Sequence, residues 1–355
     1  MPRRVLLTGG SGYLGGEALF QIAALRSSGV REFQDMVLYT TYFHAESVDK
    51  LKALGTEPVQ IDREDPVALK AFIHEHDIDT VVEMTDFRWD SVAPPVIEAL
   101  GELGGERRYI GHGGAKIFAS FAGIETREPI YDDADPLHAP RGGNDIFQVA
   151  RDLADNYAAA QALGAKAGVK VHNVLSPTIF GKSRTFGPSS YSIHLIRLVQ
   201  IAKATGHLWR WPSTARFAQC HIEDLGALYV QLLKRDDAPA GFYFAENGSF
   251  EWTRLSKVIL HDLELDETVK PATEIDFDAA AQAIGVKPEQ IIIECGGRTN
   301  IVGRNGKKIG WEPKHGPDEI YQLAGPDSRW IEQNVDLTDK SYFIDLSKTG
   351  MPKHH

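Results

Sequence analysis

Through its first half the chain alternates short, β-branched apolar runs with longer stretches whose apolar residues recur at helical spacing. The short runs fall at 5–8, 36–39, 58–61, 80–84, 108–111 and 169–174. The helical patterns fall between them, at 14–26, 46–54, 66–75 and 95–103, with a long one over 145–167. Strands and helices in alternation predict an α/β fold, a doubly wound parallel sheet covered by helices on both faces. After about residue 178 the rhythm changes. Glycine, proline and aromatic residues rise in "FGKSRTFGPSSY" and "GHLWRWPSTARF", helical runs follow at 190–204 and 222–234, and shorter elements fill the tail. This predicts a first unit over 1–180 and a smaller substrate lobe over 181–355, interleaved at their boundary. The stretches 209–212 and 186–191 are read as pocket walls, with core packing the equal alternative.

Composition narrows the class. The chain has 355 residues, 43% of them apolar and 25% charged, as in an ordinary globular protein. A net charge of −11 argues against a nucleic-acid partner, since phosphate backbones call for a basic face. Small anions remain open, because one local basic site serves them. The two cysteines, Cys220 and Cys295, are too few for a disulfide framework and lack metal-type spacing, so a reducing compartment and no metal are expected. No apolar run has the length of a membrane span and no signal-peptide cleavage pattern is read, so a cytoplasmic location without a membrane partner is expected.

The first strand runs into Thr8-Gly9-Gly10-Ser11-Gly12-Tyr13-Leu14-Gly15, and a helix opens at once. Gly9, Gly12 and Gly15 have the spacing G-x-x-G-x-x-G. One glycine makes the tight turn, the next lets backbone N–H groups approach a pyrophosphate, and the third lets helix and strand pack closely. The helix N-terminus turns its dipole and free amides toward the anion. Strand before and helix after both match, and the stretch is read as a dinucleotide site.

"TGGSGYLG" is similar to the fingerprint of the extended short-chain dehydrogenase/reductase superfamily, in the form found in sugar-nucleotide epimerases and fungal epimerase/dehydratase-like proteins. The likeness continues in "VQIDRED", "VHNVLSPTIFG", "CHIEDLGALYV" and "GFYFAENG", and covers most of 5–260. It implies a Rossmann fold, a nicotinamide dinucleotide, a small-molecule substrate and a homodimer. It also implies that Asp62 meets the adenine and that Ser176, Pro177 and Thr178 border the nicotinamide. Thr85, after the fourth strand, joins the cofactor set, and His221 is read as a structural residue at a helix start.

An acid at the end of the second strand would bind a ribose 2′-hydroxyl and repel a 2′-phosphate. Here Thr40 and Thr41 stand there, His44 follows, and no carboxylate comes before Glu46. This favours NADP, with NAD the alternative.

The resemblance implies a Tyr-x-x-x-Lys pair on the long helix, the tyrosine giving a proton to the alkoxide that hydride delivery creates. The corresponding positions hold Phe147 and Arg151, and the partner serine falls near Gly114. Phenylalanine has no proton to give. Arginine stays charged and is a poor acid, though its fork suits ribose hydroxyls. A partial likeness to the progesterone 5β-reductase/iridoid synthase group, which reduces activated C=C bonds, implies a displaced lysine matching Lys116. The candidate catalytic residues are therefore His112, Lys116 and Arg151. Glu83, Asp86 and Tyr131 are weaker, structural carboxylates and a loop tyrosine being the plainer readings. Three functions stay open: an NADP(H)-dependent oxidoreductase of a small carbonyl or enone with a non-standard proton relay, a non-redox isomerase, dehydratase or lyase on this scaffold, and a non-enzymatic dinucleotide sensor.

Overall fold

A computed structural model describes residues 2–42, 45–62, 65–85, 89–139, 142, 148–185, 190–212, 214–271 and 274–342. The strands are β1 Arg4–Leu7, β2 Val37–Thr41, β3 Glu57–Val59, β4 Thr80–Glu83, β5 Arg107–Gly114, β6 Ile130–Tyr131, β7 Val169–Ser176, β8 Thr178–Phe180, β9 Trp209–Arg210, β10 Arg216–His221, β11 Gly241–Phe244, β12 Ser249–Glu251, β13 Lys270–Pro271 and β14 Ile301–Val302. The helices are α1 Tyr13–Ser27, α2 Arg31–Gln34, α3 Val48–Ala53, α4 Pro66–Glu75, α5 Trp89–Leu103, α6 Gln148–Ala167, α7 Ile193–Thr205, α8 Ile222–Lys234, α9 Trp252–Asp262, α10 Glu274–Ile284, α11 Pro288–Cys295, α12 Asn305–Lys308 and α13 Glu319–Asn334.

Seven strands form one parallel sheet in the order β11-β7-β5-β4-β1-β2-β3. Its inner strands are apolar on both sides because helices cover both faces. One face carries α4, α5 and α6 over a core that includes Leu6, Val81, Tyr109 and Val171. The other carries α1 and α8 over Val5, Leu7, Val82 and Tyr243. The seventh strand comes from the second half of the chain: β11 pairs with β7, Tyr243 opposite Val174. A third core, with Trp209, Phe217, Phe250, Trp252 and Ile259, holds α7, α9, α10, α11 and α13 together on the C-terminal side.

Local signals explain several boundaries. Asp65 caps α4, its carboxylate accepting the Val67 and Ala68 amides at 3.0 Å, with Pro66 in the first turn. Gly206, in the left-handed region at φ 73°, ends α7. Two boundaries differ from expectation. Helix α5 begins at Trp89 rather than at Pro95, so Pro94 and Pro95 lie inside it. Strand β5 runs past residue 111, because His112, Gly113 and Gly114 keep pairing with Val174, Leu175 and Ser176. For Trp209 and Trp211 the core-packing alternative of their reading holds rather than the pocket wall. They pack against Phe277 in the third core, at ring distances of 5.0 and 6.0 Å.

Candidate functional site

The strand order reverses at β1 and β4, and the carboxyl ends of β1, β4, β5 and β7 open together into a cleft of about 440 Å³. Open parallel sheets take ligands at such a reversal. Gly9, Gly12, Tyr13, Leu14 and Gly15 line it from β1 and α1, and Thr85 from β4. His112, Gly114 and Lys116 reach it from β5, and Ser176 and Pro177 from β7. The remaining wall is mostly apolar, with Ile117, Phe121, Leu153, Ile179, Ile196 and Ile293.

The three spaced glycines have three different physical reasons. Gly9 sits at φ 67°, a region that costs a side chain strain, and closes the turn through the Gly12 amide at 2.9 Å. A Cβ on Gly15 would lie 2.3 Å from the Gly9 carbonyl oxygen, so only glycine lets the helix approach the turn. Gly12 has ordinary angles, φ −86° and ψ 177°. A Cβ there would meet only the Gly9 oxygen, at 3.3 Å, and otherwise open space. Gly12 is the N-cap of α1 and offers no side-chain acceptor, and the first turn holds no acidic residue. The amides of that turn, which have no intrahelical acceptor, are left for an external anion. A dinucleotide diphosphate fits this cradle in size, charge and donor set.

The other residues expected around a cofactor separate into two groups. Thr85, Ser176 and Pro177 line the cleft with the glycines. Thr40 does not. It is fully buried, gives its hydroxyl to the Leu7 carbonyl at 3.1 Å, and fills the space that Gly10 leaves by lacking a side chain. Thr41 points the other way and accepts the Gly9 amide at 3.1 Å, tying β2 to the turn. The Thr8 hydroxyl accepts the Met84 amide, and the Ser11 carbonyl accepts the Thr185 hydroxyl. Thr178 is buried in β8, and Asp62 is exposed beyond β3. Arg151 is turned off the face of α6 that carries Ala150 and Leu153 into the cleft, and it donates to the Gly142 carbonyl at 3.0 Å. His44, Asp86 and Phe147 lie outside the described residues.

His112 joins the Tyr229 hydroxyl through Nδ1 at 2.8 Å and the Ser176 hydroxyl through Nε2 at 3.3 Å. Burial brings its pKa down to about 4, so the ring is uncharged near neutral pH and offers hydrogen bonds rather than charge. Tyr157 is fully buried, accepts the Gly114 amide at 3.2 Å, and burial raises its phenol. Glu83 is buried and takes the Thr85 amide at 2.8 Å. Tyr131 lies in β6 under the Arg304 guanidinium. His221 caps α8, its Nδ1 accepting the Glu223 amide at 3.2 Å.

Lys116 stands in a different setting. It follows β5 in a short turn, Ala115–Phe118, and meets side chains from two distant helices. Its Nζ lies 2.8 Å from Glu294 of α11 and 3.3 Å from His194 of α7. Glu294 also takes His194 at 2.7 Å and Arg197 at 2.5 Å. Burial lowers Lys116 to about 8, while Glu294 opposes a further fall. Burial likewise lowers His194 to about 4, aided by Lys116. Burial alone would raise the Glu294 carboxyl, but Arg197, Lys116 and His194 outweigh it and hold it well below its ordinary value. The group is thus a lysine near its titration point beside a fixed carboxylate, at the wall of an apolar cleft. Such an amine can donate or accept a proton near neutral pH.

Sequence reading missed His194, Arg197 and Glu294. The signals existed. His194 and Arg197 are three apart and share one face of α7, and Glu294 interrupts an apolar run, "IIIEC".

No family model and no curated protein sequence matches this chain. Solved structures do. A UDP-glucose 4-epimerase from Thermotoga maritima, with UDP-glucose, matches at TM-score 0.61 and 11% identity, over 94% of this chain and 100% of that one. A dTDP-glucose 4,6-dehydratase from Bacillus anthracis, in complex with NAD, matches at 0.59 and 15%, over 94% and 98%. Vestitone reductase from alfalfa matches at 0.56 and 16%, over 92% and 99%. The fold is the Rossmann-like α/β fold of these extended epimerase, dehydratase and reductase enzymes.

Proposed function

We propose that this chain is an NADP(H)-dependent oxidoreductase acting on a small, largely apolar carbonyl or enone, with Lys116 in place of the absent tyrosine. The observation that carries this reading is the meeting, in one cleft, of an uncapped α1 terminus at an open Gly12 and a buried lysine poised near 8. The dinucleotide, when bound, supplies or takes up the hydride. The first-turn amides of α1 hold its diphosphate, and Gly12 keeps the approach clear. Ser176 and Pro177 border the reacting end of the cleft. No carboxylate ends β2 among the described residues, so nothing there repels a 2′-phosphate, which supports NADP over NAD.

The proton then comes from Lys116. As negative charge grows on the substrate oxygen, Nζ donates, and Glu294 keeps the amine protonated against the pull of burial. His112 stays neutral and is held by Tyr229 and Ser176, where it steadies the end of β5. The apolar wall excludes water and suits a hydrophobic body rather than a polyhydroxylated one.

A specific feature keeps one other reading alive. A lysine near 8 can both take and return a proton, which is what an isomerase needs, and an epimerase and a dehydratase share the fold. One experiment separates the two. Purified protein with NADPH and a panel of aldehydes and enones is followed by nicotinamide absorbance and product analysis. Net NADPH oxidation that falls at least tenfold in Lys116→Met upholds the reductase. Product formation with no net oxidation upholds the isomerase, and Lys116→Met at full rate removes the lysine from both.

A further inference from the structure

Proton donation uses only part of the cluster around Lys116. The lysine leaves β5 through the Ala115–Phe118 turn, where Ala115, Ile117 and Phe118 are buried, so the backbone beneath its side chain is fixed. The side chain itself is 18% exposed and lines the cleft. Glu294 is almost fully buried and divides its two oxygens. Oε1 takes Arg197, which also donates to the Tyr342 carbonyl. Oε2 takes the Lys116 ammonium at 2.8 Å and His194 Nδ1 at 2.7 Å. A carboxylate accepts, so the one ring proton of the neutral His194 sits on Nδ1, and Nε2 keeps its lone pair. Lys116 and His194 are 3.3 Å apart.

An amine, a base within reach of it and a third group that orients the base are the parts of an activated nucleophile. A lysine beside a carboxylate is ordinarily charged and inert. Here burial outweighs Glu294, Arg197 adds to the effect, and the amine comes down to about 8. Near pH 7 about one molecule in ten then carries a neutral amine, against roughly one in three thousand for an ordinary lysine. Ile117, Ile196 and Ile293 line the same cleft and suit the apolar body of an electrophile.

We propose a second activity for this cleft, independent of any dinucleotide: Lys116 condenses with apolar aldehydes to an imine and exchanges the hydrogens on the carbon beside the carbonyl. The neutral amine adds to the carbonyl carbon, a C–N bond forms, and the C=O π pair moves to oxygen, which takes a proton. The oxygen takes a second proton and leaves as water, giving the iminium. The iminium draws electrons from the neighbouring carbon. A C–H proton there passes to His194 Nε2, and the C–H pair becomes the enamine double bond. A solvent proton then returns to that carbon, and water hydrolyses the iminium to aldehyde and amine. No oxidant or reductant is consumed. Glu294, fixed by Arg197, balances the iminium charge and orients His194.

The probe is 3-phenylpropanal with sodium cyanoborohydride, which reduces an imine to a stable secondary amine, applied to the full-length protein at about pH 7 without dinucleotide. Peptide mapping by mass spectrometry is expected to show Lys116 alkylated about tenfold or more faster than any other lysine. In deuterium oxide without the reductant, NMR is expected to show the protein exchanging the hydrogens beside the carbonyl. Lys116→Arg keeps a charge opposite Glu294 but has no nucleophilic amine, and is expected to lose that exchange about tenfold or more. His194→Gln is expected to slow exchange by a similar factor while Lys116 is still alkylated. Alkylation spread evenly over the lysines of the parent protein overturns the proposal whether or not the variants fold, and so does exchange that Lys116→Arg keeps. Selective alkylation and exchange in a protein that never oxidises NADPH uphold the proposal and remove the reductase reading. NADPH oxidation without them does the reverse.

Discussion

Replacing Glu294 with glutamine keeps the shape of the buried cluster and removes its negative charge. The carboxylate side chain is 2% exposed and takes Lys116, His194 and Arg197 at 2.8, 2.7 and 2.5 Å. At 2.8 Å and an effective dielectric of about 20, attraction to Lys116 alone is about 6 kcal/mol before desolvation is subtracted. Removing one side of a buried ion group leaves uncompensated charge and costs about 3–5 kcal/mol, or roughly 4–7 °C in Tm for a chain of this size. The loss has a pH signature. In the folded protein burial holds Lys116 at about 8, below the ordinary lysine value of 10.5. Without Glu294 its folded value falls further. Between the new value and about 8 the parent holds a proton that the variant has shed, so the variant gains stability relative to the parent as pH rises. The assay is paired thermal melting of Glu294→Gln and parent at about pH 6 and about pH 9. The gap should be wide at the lower pH and narrower at the higher one. An equal gap at both, or none at the lower pH, refutes the coupling of Lys116 to Glu294.

Two further predictions concern the cradle and the core. Gly12→Ala is expected to leave Tm within a degree or so and weaken NADPH binding at least tenfold, while Gly15→Ala is expected to lose about 1–3 kcal/mol of stability through its clash with the Gly9 carbonyl. Thermal shift with and without NADPH checks both, and Gly12→Ala binding like the parent contradicts the cradle. Burial depresses His112 and His172 to about 4 from 6.5, so the unfolded chain binds more protons across that window and stability falls as pH drops through it. Each contributes at most about 3 kcal/mol. Urea unfolding at about pH 7 and about pH 5 should show the fall, and equal stability at the two would refute it.

The first-half sheet was legible because each strand is a local apolar run and each helix a local period. Helices α4 and α8 fall at their expected bounds, since Asp65-Pro66 and His221 mark their starts within the sequence itself. β11 was not legible as the seventh strand, because its pairing with β7 is a long-range choice that no local pattern encodes. The glycine cradle was legible for the same local reason as the strands. Thr40 misled. A threonine at a strand end reads as exposed, yet Gly10 vacates the space in which it is buried, and only packing reveals that. Lys116 was visible as a candidate, but its partners were not. His194, Arg197 and Glu294 come from α7 and α11, far along the chain, and only the third core brings them to the end of β5.

The central claim is that a nicotinamide dinucleotide rests its diphosphate on the open end of α1. Calorimetric titration of the purified protein with NADPH, NADP, NADH and NAD tests it most directly. Saturable binding of the phosphorylated pair, tighter than that of the other two and abolished in Gly12→Glu, is the predicted result. Absence of heat with all four, or undiminished binding in Gly12→Glu, would contradict it.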